Sequence, residues 1–314
     1  MNVKNYSLDF PIDPSDLSVF LTRFMLNIQL PIDSIEYIYI ADEKSYAEKI
    51  REFNSQFTNN EMYVGVGKTI AHKRGDVITN TVLYRDFVVA SIIAPLVEEK
   101  KFPDEFHPLA QLNFYVIYHE LCHCLDSCNR RDIDDVPFRM DGKFSVRQIA
   151  KFYQKVLASE FAASFLAGFS MTKVAYCEES KNVLDCLGKS LQLLEKEKEN
   201  YRLGIMSLYK LAVTAAMTFW LLMIQYSKLI GCLLGNPDLT GVPVACLWPS
   251  LNPILGCLAE KLQKSQMQYP KWDSQKFDDI FFIWQDVGLS FGYRFVEGEI
   301  DAVYLTPDLG LKNG

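Results

Sequence analysis

A basic excess is missing from this 314-residue chain: 32 Lys and Arg stand against 39 Asp and Glu, for a formal net charge of −7. A surface that binds nucleic acid usually declares itself through clustered Lys and Arg, so nucleic acid is not expected as a partner. A long apolar run is also missing. The nearest approach is Leu211 to Ile224, fourteen uncharged residues between Lys210 and Lys228, whereas a bilayer span needs about 20. Snorkelling of the two lysines would stretch it only to a marginal span, so a buried core helix is the expectation. The opening residues Met1 to Phe10 carry Asp9 and lack the basic start, apolar stretch and small-residue cleavage site of a secretory signal, which points to the cytoplasm. No repeat, low-complexity tract or linker interrupts the chain. Collagen-like, disordered and disulfide-scaffold classes are excluded by 49% hydrophobic and 23% charged residues. The eight cysteines are expected as reduced thiols, because a chain this long buries enough core to need no covalent staples.

What is present divides by texture. After a Pro-punctuated opening (Pro11, Pro14, Pro31), Ile35 to Ile40 is rich in β-branched and aromatic residues and reads as a strand. Glu43 to Asn54 places Tyr46, Ile50 and Phe53 at helical spacing. Tyr63 to Gly67 and Asp76 to Tyr84 bracket a polar turn at Lys73 to Asp76, the pattern of a hairpin. From Leu109 onward the periodic stretches lengthen: Leu109 to Asn129, Ser145 to Met171, Asn182 to Glu199 and Tyr201 to Leu234 all read as helices. The loop from Arg130 to Gly142 separates the first two, and Gly235-Asn-Pro with Gly241-Val-Pro ends the fourth. The expectation is an α+β fold in one domain, a small mixed N-terminal sheet followed by a mainly helical half.

The chemistry concentrates in Tyr118-His-Glu-Leu-Cys-His-Cys-Leu-Asp126, which holds the HExxH pattern as His119, Glu120 and His123. On a helix, residues four apart share a face, so both imidazoles can address one ion while Glu120 sits beside a metal-bound water. The chain has only four His, and two of them fall at this spacing. Tyr115, Val116, Ile117, Leu121 and Leu125 make the flanks apolar, so the polar side chains need partners when buried, and a metal supplies one. Catalytic zinc usually takes three protein ligands and a water. A third ligand six residues beyond His123, with Gly midway, would be the metzincin arrangement; Asp126 and Asn129 occupy those places, and that subclass is excluded. The alternative is a Glu on a following helix. Glu160 is the candidate, the one ionisable side chain between Lys155 and Lys173. Its small neighbours Ala162, Ala163, Ser164 and Ala167 would let that helix approach the His119 helix closely.

With these residues the chain resembles the HExxH zinc metallopeptidases of gluzincin type, whose third ligand is a Glu on a second helix within a Glu-x-x-Ala stretch, here Glu160 to Ala163. The helix pair is similar to that of the ImmA/IrrE-type bacterial peptidases and of the M48 family, although Ser164 stands where the latter carries Asp. The resemblance spans roughly Leu109 to Met171. It implies a zincin-like fold with 1–108 as its mixed part, 109–171 as the zinc-binding helix pair and 172–314 as a helical extension. It also implies one Zn2+ per chain held by His119, His123 and Glu160, and hydrolysis of peptide bonds with Glu120 as general base.

Further roles stay open at this level. Asp126 could orient a ligating imidazole. No His follows His123, so an oxyanion-stabilising role falls to Tyr201, Arg202, Tyr293 or Arg294. Cys122, Cys124 and Cys128 are expected as small buried hydrophobes, with metal ligation as the alternative. His72 and His107 are expected as ordinary packed or surface histidines. The expected partner is a protein or peptide substrate, which the strand Val77 to Tyr84 could capture by edge addition. A regulatory protein is an open alternative. Two competing functions remain, a non-enzymatic zinc-binding sensor module and a membrane-associated peptidase.

Overall fold

The computed structural model describes residues 1–7, 9–53, 65–129, 146–244, 248–270, 278–296 and 302–305. The Arg130 to Gly142 loop and the start of the strand read at Tyr63 lie outside them. The fold class is α+β: a four-stranded mixed sheet near the N-terminus, then a helical half. Contacts divide the chain into two compact units, one of Met1–Val136, Ala162–Ser180 and Gly231–Val242, the other of Pro137–Phe161, Lys181–Ile230 and Pro243–Gly314.

In the first unit the sheet has the order β1-β2-β4-β3, built from β1 (Asn2–Asn5), β2 (Ile35–Ala41), β3 (Gly67–Arg74) and β4 (Val77–Arg85). β1, β2 and β4 run parallel, and β3 is antiparallel to β4. The parallel steps require crossovers, which α1 (Pro14–Asn27) and α2 (Glu43–Phe53) supply. The Pro-rich opening therefore contains a full helix that composition alone obscured. Its signal was there in Asp13, whose side chain accepts from Ser15 N, followed by Pro14 in the first helical position.

α2 lays Tyr46 and Ile50 against Tyr39, Ala41 and Leu83 of the sheet. The hairpin turn falls where the sequence placed it, with Gly75 at φ 62°. Its first strand runs through 67–74, later than expected, because the polar residues of this segment lie at the sheet margin and mask the strand pattern. The order also corrects the expected edge: Val77 to Tyr84 lies in β4, flanked by β2 and β3, and the edge strands among the described residues are β1 and β3.

Against this sheet packs α4 (Pro108–Asn129), following α3 (Asp86–Ile93). Three polar ties fix its height over the strands. Tyr84 Oη donates to Ile117 O at 3.0 Å, Ser127 Oγ to Asn80 Oδ1 at 2.8 Å, and Thr69 Oγ1 bonds Glu120. The last turns of α5 (Val146–Ala167) and α7 (Leu208–Gly235) belong to this unit, as do the first turns of α6 (Lys173–Arg202). Gly235 exists for this contact: a Cβ there would sit 2.0 Å from Phe165 O.

The second unit is organised around indole and phenyl rings. Trp220 of α7 stacks on Tyr153 of α5 and on Trp284 of α9 (Ile280–Ser290), with centroids at 6.1 and 5.4 Å. Phe219 meets Phe291 and Tyr293, and Trp284 meets Phe295. The later turns of α6, α8 (Asn252–Gln266) and a short hairpin of β5 (Tyr293–Val296) with β6 (Ala302–Leu305) supply the rest. Among the described residues one helix, α7, is long and apolar enough to cross a membrane, because it extends beyond the fourteen-residue run read from the sequence, and 78% of its apolar window is buried in the protein. That burial is the pattern of a core helix, as expected for Leu211 to Ile224.

Candidate metal centre

The i, i+4 spacing of His119 and His123 on α4 turns both rings to one side, and their Nε2 atoms stand 3.1 Å apart. Two nitrogens bound at about 2.0–2.1 Å to one tetrahedral ion would be separated by about 3.3–3.4 Å, so the pair needs only a few tenths of an ångström to accept one. Glu160 completes the group: one ligand atom from each of His119, His123 and Glu160 lies within 4.8 Å of the others. Its position follows from the unbroken helix α5. One turn later Ser164, 0% exposed, touches His119 Nδ1 at 3.4 Å. Ala162, Ala163 and Ala167 are buried alongside, which is how small residues let the two helices approach. Two imidazoles and a carboxylate converging at this range fit a metal ion.

The back of the His119 ring supplies an independent test. If Nε2 faces the ion, Nδ1 must carry the proton and needs an acceptor. Tyr115 Oη lies 3.1 Å from Nδ1. The same hydroxyl donates to Ser164 Oγ at 3.2 Å and receives the Cys232 thiol at 3.2 Å. A phenol has one proton to give and two lone pairs. With the proton on Ser164 and the lone pairs on His119 and Cys232, every capacity of Tyr115 is used in the metal-binding tautomer. Burial holds this hydroxyl well above its ordinary pKa, so it remains a neutral partner.

Glu120 is 8% exposed and points to the sheet. Its Oε2 accepts from Thr69 Oγ1 at 2.8 Å. Gly67, two residues earlier on β3, leaves the space that the carboxylate fills: a Cβ at Gly67 would lie 2.6 Å from Glu120 Cγ and 3.0 Å from Oε1. The acid is thus clamped between helix and edge strand, next to His119 in the chain.

Other sequence candidates find ordinary roles. His72 Nε2 meets Thr81 Oγ1 at 3.0 Å, its ring packs on Phe53, and burial lowers its pKa. His107 is exposed, and its Nδ1 accepts from Leu109 N at the start of α4. Cys122 and Cys124 are fully buried thiols whose pKa values burial drives upward. Cys124 donates to Glu120 O. None of the seven described cysteines forms a disulfide, and Cys128 is exposed, not buried as expected. Asp126 is buried at 1% exposure, and Tyr115 and Ser164 are the side chains at His119 Nδ1. Tyr201, Arg202, Tyr293 and Arg294 all belong to the second unit. There Arg202 pairs with Glu199 and Tyr293 packs on Phe219.

Sequence reasoning missed Tyr115, Thr69, Gly67 and Cys232. Tyr115 alone carried a local signal, since it precedes His119 by one helical turn. Comparison with protein-family profiles, curated proteins and solved structures gave no match.

Proposed function

We propose that the chain is a zinc-dependent metallopeptidase of gluzincin type that hydrolyses a protein or peptide substrate in the cytoplasm. The observation that carries this reading is the position of Glu120. It adjoins a His119, His123, Glu160 ligand group without belonging to it, and Thr69 and Gly67 hold it in place. Two His and one Glu are a usual protein set for catalytic zinc, leaving a position for water. Zinc bound there would polarise a substrate carbonyl and acidify that water. Glu120 Oε1 takes the proton of the attacking water and later hands it to the leaving nitrogen, while Thr69 fixes Oε2 so that the acceptor oxygen is aimed.

The edge strand supports a peptide substrate. Arg85 N donates to Val66 O, so Val66 is a ladder-bonded residue. In an antiparallel pair these alternate. Gly67, Thr69 and Ala71 then turn their own N–H and C=O groups away from β4, the outward row that captures an extended peptide by strand addition. Two of those three residues also touch Glu120. The cysteines without disulfides among the described residues and the mostly buried α7 support the cytoplasmic placement.

The test is metal content and cleavage of a peptide library by the wild type and Glu120→Gln. Glu120→Gln should keep about one zinc per chain and lose cleavage by about 10²–10⁴-fold. Equal cleavage by the two proteins, or none by the zinc-loaded wild type, overturns the reading.

A further inference from the structure

A quarter-turn around α4 from the metal ligands, a cavity of about 340 Å³ opens between α1, α4 and the segment that follows α3. Its size falls at the lower end of the ~300–1,000 Å³ usual for small-molecule sites. The floor is aromatic: Phe24 lies 5.5 Å from Phe114 and 4.9 Å from Tyr118, and Phe20 adjoins Phe24 at 5.1 Å. Leu96, Phe102 and Pro103 continue the apolar wall, Asn27 adds an amide, and three cations complete the lining. The cations are Arg23, Lys100 and Lys101, and no acid lines the cavity among the described residues. Lys101 is paired with Glu99. Arg23 and Lys100 have no ion-pair partner among the described residues, and Lys100 sits at φ 55°, an unusual backbone for a side chain of its size.

The buried hydroxyl of Tyr118 adds direction. It is 3% exposed and accepts from Asn27 Nδ2 at 2.7 Å, but its own proton meets no acceptor among the described residues. A buried donor left unused beside two unpaired cations calls for an acceptor carrying negative charge. The rings beneath call for an apolar body.

We propose that this cavity is a second binding site, for a small amphipathic carboxylate. The chain or ring of such a ligand lies on Phe24, Phe114 and Tyr118, and its carboxylate is met by Arg23, Lys100 and the Tyr118 hydroxyl. A neutral apolar molecule would leave the cations without a partner, and a cationic one would be repelled. None of these residues belongs to the metal group, so this site and the peptidase reading stand or fall separately.

Calorimetric titration of the purified protein with sodium decanoate, kept below its micellar range, tests the site. Decanol and decyltrimethylammonium are the comparators. One decanoate should bind per chain with Kd on the order of tens of micromolar, more tightly than decanol, and the ammonium compound should not bind. The double variant Arg23→Glu, Lys100→Glu changes exposed positions only and should fold as the wild type does by circular dichroism. It should weaken decanoate by about tenfold or more. Leu96→Trp, which fills the cavity, should abolish binding without altering the charges. Decanol binding as tightly as decanoate, indifference to the double variant, or association with anionic vesicles in the absence of any decanoate binding would each overturn the proposal.

Discussion

Thr69 Oγ1 lies 2.8 Å from Glu120 Oε2 and 2.8 Å from the Glu120 carbonyl oxygen. One hydroxyl on the edge strand, with a single proton to give, thereby faces both the carboxylate and the backbone carbonyl of the helix residue that follows His119. Helix and strand are 51 residues apart in sequence, yet the aim of the carboxylate depends on this contact. Thr69→Val should lower kcat by about tenfold with zinc content unchanged, and Thr69→Ser, which keeps the hydroxyl, should restore it. Loss of activity in the Ser variant as well would assign Thr69 a packing role.

Gly67 offers a sharper perturbation of the same clamp. The added methyl of Gly67→Ala would have to share space with Glu120 Cγ, 2.6 Å away. The carboxylate or the strand must move, and a displacement near 1 Å costs roughly 10²-fold in rate. Expected is a fall in kcat/KM of that order with metal still bound. Measured zinc and kcat/KM both at wild-type values would show that the clamp is soft.

The ligand group makes a separate prediction about metal. His119→Ala or His123→Ala should remove zinc binding, since each takes away one of three protein donors. Glu160→Gln should lower affinity by more than the 10–100-fold typical of outer partners. Zinc affinity at the wild-type level in Glu160→Gln, with the fold intact by circular dichroism, would remove Glu160 from the set.

Tyr115→Phe probes the tautomer. It deletes the acceptor for His119 Nδ1 and the partner of Ser164 and Cys232. Zinc affinity should fall about 10–100-fold, and unfolding free energy by about 1–3 kcal/mol, because the buried groups left behind lose their bonds. Chelator competition and urea titration read the two effects independently. A drop in stability without a change in affinity would make Tyr115 structural only.

Gly235→Ala should be the most damaging single change in the last turn of α7. Its Cβ would meet the carbonyl oxygen of Phe165 at 2.0 Å, a backbone atom that cannot swing aside. Destabilisation of about 3 kcal/mol or more is expected, read as a fall in urea midpoint. A wild-type midpoint would show that α5 and α7 can separate there without cost.

The sequence by itself determined what local geometry can determine. His119, Glu120 and His123 lie within five residues of one helix, so the 3.6-residue turn dictates that the imidazoles share a face and that Glu120 stands beside them. Glu160 was legible because a lone acid in a run of small and apolar residues is conspicuous, and the long helices because apolar periodicity needs no partner to be read. The tertiary structure decided everything that joins distant segments. Only sheet order shows that β3, whose polar residues hide its strand character, forms the edge beside Glu120, while β4, the better strand by composition, lies inside. Only packing brings Cys232, 117 residues away, onto the Tyr115 hydroxyl and makes Gly67 and Gly235 indispensable. Spacing along a chain prescribes relations within one turn or one strand; which faces meet is set by burial of the whole apolar surface, and that sum is taken only in three dimensions.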